Sequence, residues 1–342
     1  MAIQHTVYFG TYTGAKSKGI YRSFLDAESG HLGQPELVDE IKNPSFLAIS
    51  PNGRFLYAAL EAGGGSVGAW AIGQSGELSP INRQSSGGDG ACHVWVDNTG
   101  RNVLVANYGG GSIACLPVRA DGSLDSVSSF IQHVGSGPNR SRQAEPHAHS
   151  IYTDASNQFV YACDLGTDEV KIYRFDAAGG TLTPNEPPAG KVPPGSGPRH
   201  FAMHPDGFAY ANNELTLTVT AFKRDSVTGA LEEIETVPTF PQGASLEKAS
   251  TAEMFLHPTG RWLYVSNRGL DTITVFTVEP DGTLTSPQGV PTPVEPRGFA
   301  ISPDGKWLVA GGQNDDRVAV YAIDSVTGGL QPTGQSVEVG SP

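Results

Sequence analysis

The 342-residue chain carries a formal net charge of −13, which sets its mean field against nucleic acid and anionic membrane surfaces as general partners. With 17% charged and 38% hydrophobic residues it is too apolar for disorder, and 43 Gly and 25 Pro make it rich in turns. No run of about 18 apolar residues offers a membrane-spanning helix.

The N-terminal stretch MAIQHTVYFGTYTG lacks the charged and apolar regions of a secretory leader, so a cytoplasmic protein is expected. Cys92, Cys115 and Cys163 are too few and too scattered for a disulfide framework or a thiolate zinc site, and read as small buried core residues. Thr6 to Tyr12 is predicted as the first strand.

From there the chain is periodic. A G-x-L turn recurs seven times, at Gly30, Gly76, Gly122, Gly180, Gly229, Gly282 and Gly328, every 46 to 58 residues, a period of propellers and solenoids. A second turn, Ser50-Pro51-Asn52-Gly53, returns as His204-Pro205-Asp206-Gly207, His257-Pro258-Thr259-Gly260 and Ser302-Pro303-Asp304-Gly305. Pro presets one backbone angle and Gly accepts positive φ, so the chain reverses there between two short strands.

In the last copy four strands, a to d, are predicted at Gly298 to Ser302, Trp307 to Gly311, Arg317 to Ile323 and Leu330 to Val339, alternating in the manner of half-buried strands. Four short antiparallel strands make one blade, and seven copies predict an all-β, seven-bladed β-propeller. A β-solenoid would not need four distinct strands per period. One domain, 1–342, is expected, with blades near 6–42, 43–90, 91–146, 147–198, 199–251, 252–296 and 297–342. Thr6 to Tyr12 reads as a b strand, so blade 1 lacks its inner a strand, and no C-terminal strand follows to close the ring. Either the natural chain is longer or blade 1 has three strands. The 12-residue loop Gly135 to Pro146 is long enough to be functional, and Pro184 to Pro198, with six prolines, is expected to be stiff and polyproline-like.

The starts of a strands and the ends of b strands share one rim. At the a starts stand His93, His147, His149, Arg199, His200, Glu253 and Arg297; at the b ends stand Tyr12, Glu61, Asn107, Asp164, Asn213, Glu214, Asn267, Arg268 and Gln313. Ionisable groups of both signs near a central pocket are the raw material of a binding or catalytic site. Three arginines in an acidic protein point to a small anionic ligand.

Five segments carry a further signal: Pro146-His147-Ala148-His149-Ser150, Gly197-Pro198-Arg199-His200, Asn213-Glu214-Leu215, Ser266-Asn267-Arg268-Gly269 and Pro296-Arg297-Gly298-Phe299. In these blades and this order they resemble the lactonase family of seven-bladed propellers, of the 6-phosphogluconolactonase and 3-carboxy-cis,cis-muconate lactonizing type. The resemblance implies hydrolysis of a sugar lactone, best 6-phosphogluconolactone to 6-phosphogluconate in the pentose phosphate pathway, without metal or cofactor. It implies an active site at His149, Arg199, Glu214 and Arg268.

Chemistry suggests the roles. His149, with an unperturbed pKa near neutrality, is a candidate general base, with Glu214 orienting it or acting as the base itself. Arg199 and Arg268 would grip a phosphate or carboxylate bidentately or face the oxyanion, Arg297 being in reserve. Asn107, Asn267 and Gln313 would bond sugar hydroxyls, and His147, Tyr12, Glu61 and Glu253 complete the substrate-binding set.

Plainer readings stand beside these. His93 and His200 read as satisfied structural histidines, and Arg140 and Arg142 as the solvated edge of the long loop. By alternation His147 and His149 share one strand face and could ligate a metal, although spacing supplies no third ligand. Arg199 and Glu214 could neutralise each other, whereas Arg268 and Arg297 have no obvious acidic partner beyond Glu253. A cycloisomerase acting on a carboxylated muconate and a non-catalytic binding propeller are the alternative functions. A monomer or weak homo-oligomer is expected.

Overall fold

The computed structural model describes residues 3–241 and 243–342, and among these every regular element is a β-strand. Blade 1 is a three-stranded sheet of β1 (Gln4–Phe9), β2 (Gly19–Asp26) and β3 (Glu36–Glu40). Blade 2 contains β4 (Pro44–Ile49), β5 (Phe55–Leu60), β6 (Ser66–Ile72) and β7 (Leu78–Ser85), and blade 3 contains β8 (Ala91–Val96), β9 (Asn102–Asn107), β10 (Ser112–Pro117) and β11 (Ser129–Gln132). Blade 4 follows with β12 (Ala148–Thr153), β13 (Phe159–Asp164), β14 (Glu169–Asp176) and β15 (Thr181–Lys191), then blade 5 with β16 (Pro198–Met203), β17 (Phe208–Asn213), β18 (Thr218–Arg224) and β19 (Leu231–Pro238). Blade 6 has β20 (Ser250–Leu256), β21 (Trp262–Arg268), β22 (Thr272–Val278) and β23 (Leu284–Pro291), and blade 7 has β24 (Pro296–Ile301), β25 (Trp307–Gly312), β26 (Arg317–Ile323) and β27 (Leu330–Glu338). Strands lie in chain order within each sheet, which is the all-β, seven-bladed propeller the repeats predict.

Some expectations shift. β1 ends at Phe9 rather than Tyr12, and β24 begins at Pro296 rather than Gly298. The proline-rich stretch is not polyproline-like throughout, because its first half belongs to β15, where a register shift lies between the pairs Tyr173↔Pro184 and Lys171↔Ala189. Pro187 and Pro188 fall inside that irregularity, where no ladder amide is required. Strands β5, β9 and β13 are buried at every residue instead of alternating, as expected of strands covered on both faces.

The chain separates into two compact units. One consists of the residues up to Glu40 with Ala202–Lys223 and Glu233–Pro342, and the other of Ile41–Phe201 with Arg224–Glu232. Within each, neighbouring blades are fastened by one recurrent device that explains the G-x-L turn. All seven of its glycines have positive φ, between 62° and 86°. The first residue of a b strand lies against the next blade's glycine, so that a Cβ on Gly122 would stand 2.2 Å from Phe55, and one on Gly282 2.3 Å from Phe208. Two residues further along the b strand, a tyrosine hydroxyl donates to that glycine's carbonyl. In the second unit these are Tyr57 to Gly122 at 3.1 Å and Tyr161 to Gly229 at 3.0 Å. The first has Tyr210 to Gly282 at 3.1 Å and Tyr264 to Gly328 at 2.8 Å.

Blade 1 meets blade 7 inside the first unit. Phe9, Leu25 and Leu32 share a core with Val309, Val318 and Val337, and the Trp307 indole donates to Ala27 O at 3.0 Å. The tail beyond β27 bonds blade 1 directly, Tyr12 N donating to Ser341 O at 3.0 Å. Asp316 receives the Ser341 amide at 2.9 Å and the Lys16 ammonium at 2.5 Å, and these bonds hold its carboxyl below the usual carboxylate range, the lysine contributing most.

Candidate active site

The a strands share an irregularity that alternation in the sequence does not reveal. In β12 Ala148 pairs with Asp164 and Ser150 with Cys163, leaving His149 as an extra residue. The same bulge sets off Ser45 in β4 and Cys92 in β8. In the other unit it sets off Arg297 in β24 and the pair Ala252–Glu253 in β20. A bulge places two residues opposite one and re-aims a side chain that regular pleating would fix. His147 and His149 therefore do not share a strand face by simple alternation, which corrects the expectation on which a paired metal site rested. Among the described residues no group of three or more His, Cys, Asp or Glu side chains is placed to hold a metal ion.

In the unit that contains blades 2 to 4, aromatic rings surround His149. The Tyr108 ring meets it edge-on with centroids 5.3 Å apart, and His200 lies 5.6 Å away on a tilted plane. Tyr108 also stacks on His147, with centroids 4.6 Å apart and planes 15° apart, while His147 Nδ1 lies 3.0 Å from Tyr108 O. A carbonyl can only accept, so Nδ1 carries the proton in that bond. Arg199 is buried with its Nη1 3.1 Å from His200 Nε2, which requires the imidazole nitrogen to accept.

His93 lies deeper. It accepts from Ile151 N at 3.4 Å and packs against Phe46, Tyr152 and His200. Burial, then His200 and Arg199, push its pKa well below 6.5 and keep the ring neutral. Arg140 is exposed, but Arg142 is half-buried and donates to the Tyr108 hydroxyl at 3.1 Å, so it is not a solvated edge. Its loop is pinned through the fully buried Gln143, which donates to Leu165 O at 2.9 Å and Asp168 Oδ1 at 2.7 Å.

In the other unit Glu214 and Arg268 meet at 3.1 Å, with side chains 6% and 11% exposed, too enclosed for water to substitute for either charge. Arg268 thus has an acidic partner that sequence spacing did not suggest, and it also donates to Thr251 O at 3.0 Å. Glu253 is buried beside them in sequence order, its Oε1 accepting the Met254 amide that the bulge frees from the ladder, at 2.9 Å. Arg297 donates to the Tyr12 hydroxyl at 2.9 Å and lies 5.1 Å from that ring's centroid.

The asparagines are occupied with scaffold. Asn267 donates to Thr239 O and to the Thr272 and Thr274 hydroxyls at 3.0 to 3.2 Å, and accepts from Thr239 Oγ1 at 2.6 Å. Asn107 is fully buried and donates to Ser86 O at 3.4 Å and Ser112 Oγ at 3.1 Å. Glu61 and Gln313 are half-buried, each with its backbone amide bonded to a carbonyl, Asn43 O and Glu295 O respectively. Sequence reasoning passed over Tyr108 and read Cys92 only as a buried core residue, which it is. Aligning the a strands on their first small or Pro residue would have put Cys92 level with His149, and Tyr108 directly follows the b-end residue Asn107.

Comparison with known proteins places the fold in a family. Residues 6–342 match the family described as lactonase, 7-bladed beta-propeller. A Bacillus subtilis protein named 6-phosphogluconolactonase is 37% identical, over 98% of this chain and 96% of its own, and one of that name from Formosa agariphila is 31% identical, over 97% and 96%. Among solved structures, the Pseudomonas aeruginosa periplasmic gluconolactonase superposes with a TM-score of 0.92 at 34% identity, covering 99% of this chain and 98% of that one. Blade for blade and end to end, this chain belongs to the lactonase family of seven-bladed β-propellers.

Proposed function

We propose that this protein is a carboxylic ester hydrolase that opens a sugar lactone, with 6-phosphogluconolactone as substrate and 6-phosphogluconate as product. The observation that carries the reading is the family match along residues 6–342, with relatives of that name at 37% and 31% identity. Support comes from the residues involved: His149 and Arg297 occupy bulges rather than ladder positions, and Arg268 and Glu214 form a buried charged pair.

In the proposed reaction a water oxygen attacks the ring carbonyl while His149 or Glu214 takes one of its protons. An arginine, Arg199 or Arg268, stabilises the tetrahedral oxyanion, and collapse breaks the ring C–O bond, the departing oxygen receiving the proton to become a hydroxyl. The remaining guanidinium and Arg297 hold the phosphate, and His147, Tyr12, Glu61, Glu253, Gln313, Asn107 and Asn267 complete or brace the binding surface. Base and oxyanion partner are both side chains, so the reaction as written needs no metal or cofactor, and chelator-treated enzyme should keep its rate.

A second reading, an unphosphorylated gluconolactone as substrate, is favoured by the 34% identity to the Pseudomonas aeruginosa gluconolactonase. We place the enzyme in the cytoplasm as one domain acting as a monomer or weak homo-oligomer. Its three cysteines are buried thiols outside any disulfide, which suits a reducing compartment, and no helix among the described residues is long and apolar enough to cross a membrane.

The test is loss of lactone, generated enzymatically in a coupled assay, with and without the 6-phosphate. Wild-type protein should accelerate ring opening, and His149→Ala and Arg268→Ala should remove most of the acceleration. A wild-type rate equal to buffer on both lactones would refute the function.

A further inference from the structure

A chain of ionisable groups lies outside the residues assigned above, wholly inside the unit that contains His149. His133 Nδ1 is 2.6 Å from Asp164 Oδ2, and His133 Nε2 is 2.9 Å from the Tyr173 hydroxyl. The His133 and Asp164 side chains are fully buried, and Tyr173 is nearly so. Burial, with Asp164 and Glu169 adding to it, raises the Tyr173 pKa, so the phenol stays protonated and can donate to Nε2. His133 then donates from Nδ1 to the carboxylate, and each member of the chain is satisfied.

The other carboxylate oxygen reaches backbone. Asp164 Oδ1 accepts from His147 N and Gly166 N, both at 2.9 Å, and from Thr167 N at 3.2 Å. Leu165 N returns a bond to His147 O at 3.0 Å. A Cβ on Gly166 would stand 2.0 Å from Glu145 O, so the two segments are as close as backbone permits. Asp164 is therefore a hub welded to the entrance of β12: it binds the His147 amide and itself pairs with Ala148, the residue just ahead of the bulge at His149. A bulge lacks the ladder bonds that hold a regular strand, and its geometry depends on what anchors its flanks.

We propose that His133 and Asp164 are positioning residues for the proposed lactone hydrolysis, fixing through the His147 amide the bulge that aims His149, and that neither touches substrate. The proposal rests on His149 serving the reaction. It differs from a packing role in one respect: the bond that matters is the one from His133 to Asp164, because that bond orients the carboxylate oxygens, while the bond to Tyr173 only steadies the ring.

The amide nitrogen of Asn can stand near the place of Nδ1 and that of Gln near the place of Nε2. His133→Asn keeps the donor to Asp164 and loses Tyr173, whereas His133→Gln does the reverse. With the phosphorylated lactone, His133→Gln should lower kcat roughly tenfold with KM changed by less than about twofold, while His133→Asn and Tyr173→Phe should stay within about threefold of wild type. Asp164→Asn should fall at least as far as His133→Gln, and thermal melts confirm which variants fold. Equal kcat in the Asn and Gln variants, or a change in KM alone, would overturn the positioning role while leaving the lactonase reading intact. A fully active His149→Ala would likewise overturn the positioning role, by removing the residue it serves, whereas only a wild-type rate equal to buffer would overturn the lactonase reading.

Discussion

His93 is enclosed by Phe46, Tyr152 and His200, and its pKa is pushed well below 6.5, first by burial and then by His200 and Arg199. The unfolded chain takes up a proton near 6.5 that the folded chain refuses. Stability from this group is therefore fully present above that pH and is lost as pH falls below it toward the folded value. From about pH 7.5 to about pH 5.5 the linkage removes about 1.4 kcal/mol. His93→Asn retains an amide oxygen able to accept from Ile151 N but cannot titrate, and it gives up the ring contacts. It should be less stable than wild type by about 2 kcal/mol at the higher pH, and the deficit should shrink by about 1.4 kcal/mol at the lower. Urea melts of both proteins at the two pH values measure this, and taking the difference removes the contribution of the other histidines. Parallel curves, with the same deficit throughout, would refute the claim that His93 is held neutral.

Arg268→Ala leaves the Glu214 carboxylate buried without its 3.1 Å partner, and kcat/KM should drop roughly 100-fold. Arg268→Lys should restore little of it, because an ammonium cannot bond Glu214 and Thr251 O in the guanidinium geometry, and steady-state rates on the phosphorylated lactone decide. Gly282→Ala meets Phe208 at 2.3 Å with φ at +86° and should cost about 3 kcal/mol, read as a lowered Tm. Tyr264→Phe removes the bond to Gly328 O and should cost about 1 kcal/mol in a denaturant titration, with activity retained.

The scaffold was legible because backbone geometry restricts residue type. Positive φ at seven turns favours glycine, and glycine recurring every 46 to 58 residues gives the blades; the sequence left open whether blade 1 has three strands, as it does here. The candidate site was read only by subtraction. Comparing equivalent positions singled out His149, Arg199, Glu253 and Arg297 as candidates, yet the Arg268–Glu214 pair joins residues of two blades that sequence spacing does not bring together. Asn107 and Asn267 read as sugar ligands because b-end amides are polar, whereas their buried amide nitrogens bond Ser86 O and Ser112, and Thr239 O and Thr274. A one-strand pattern records the period of side chains but not how many residues face each partner, so β12 read as alternating and its bulge stayed hidden.

That bulge shows how a repeat can hold its fold constant while its chemistry varies. Where the ladder is intact, residue type is bound by pairing and burial; where it is interrupted, the set-off position carries Ser45, Cys92, His149, Glu253 with Ala252, or Arg297. The interruption must be compensated, since it frees an amide and loosens a strand. Each ionisable case has its own anchor: Asp164 on the His147 amide, the Glu253 carboxylate on the Met254 amide, and the Tyr12 hydroxyl on Arg297. Cys92 serves its neighbour, its thiol lying 3.3 Å from His149 O. These anchors sit off the reacting groups, so their loss should cost turnover before it costs the fold. That order of loss is the mark of a scaffold whose irregularities are maintained for chemistry.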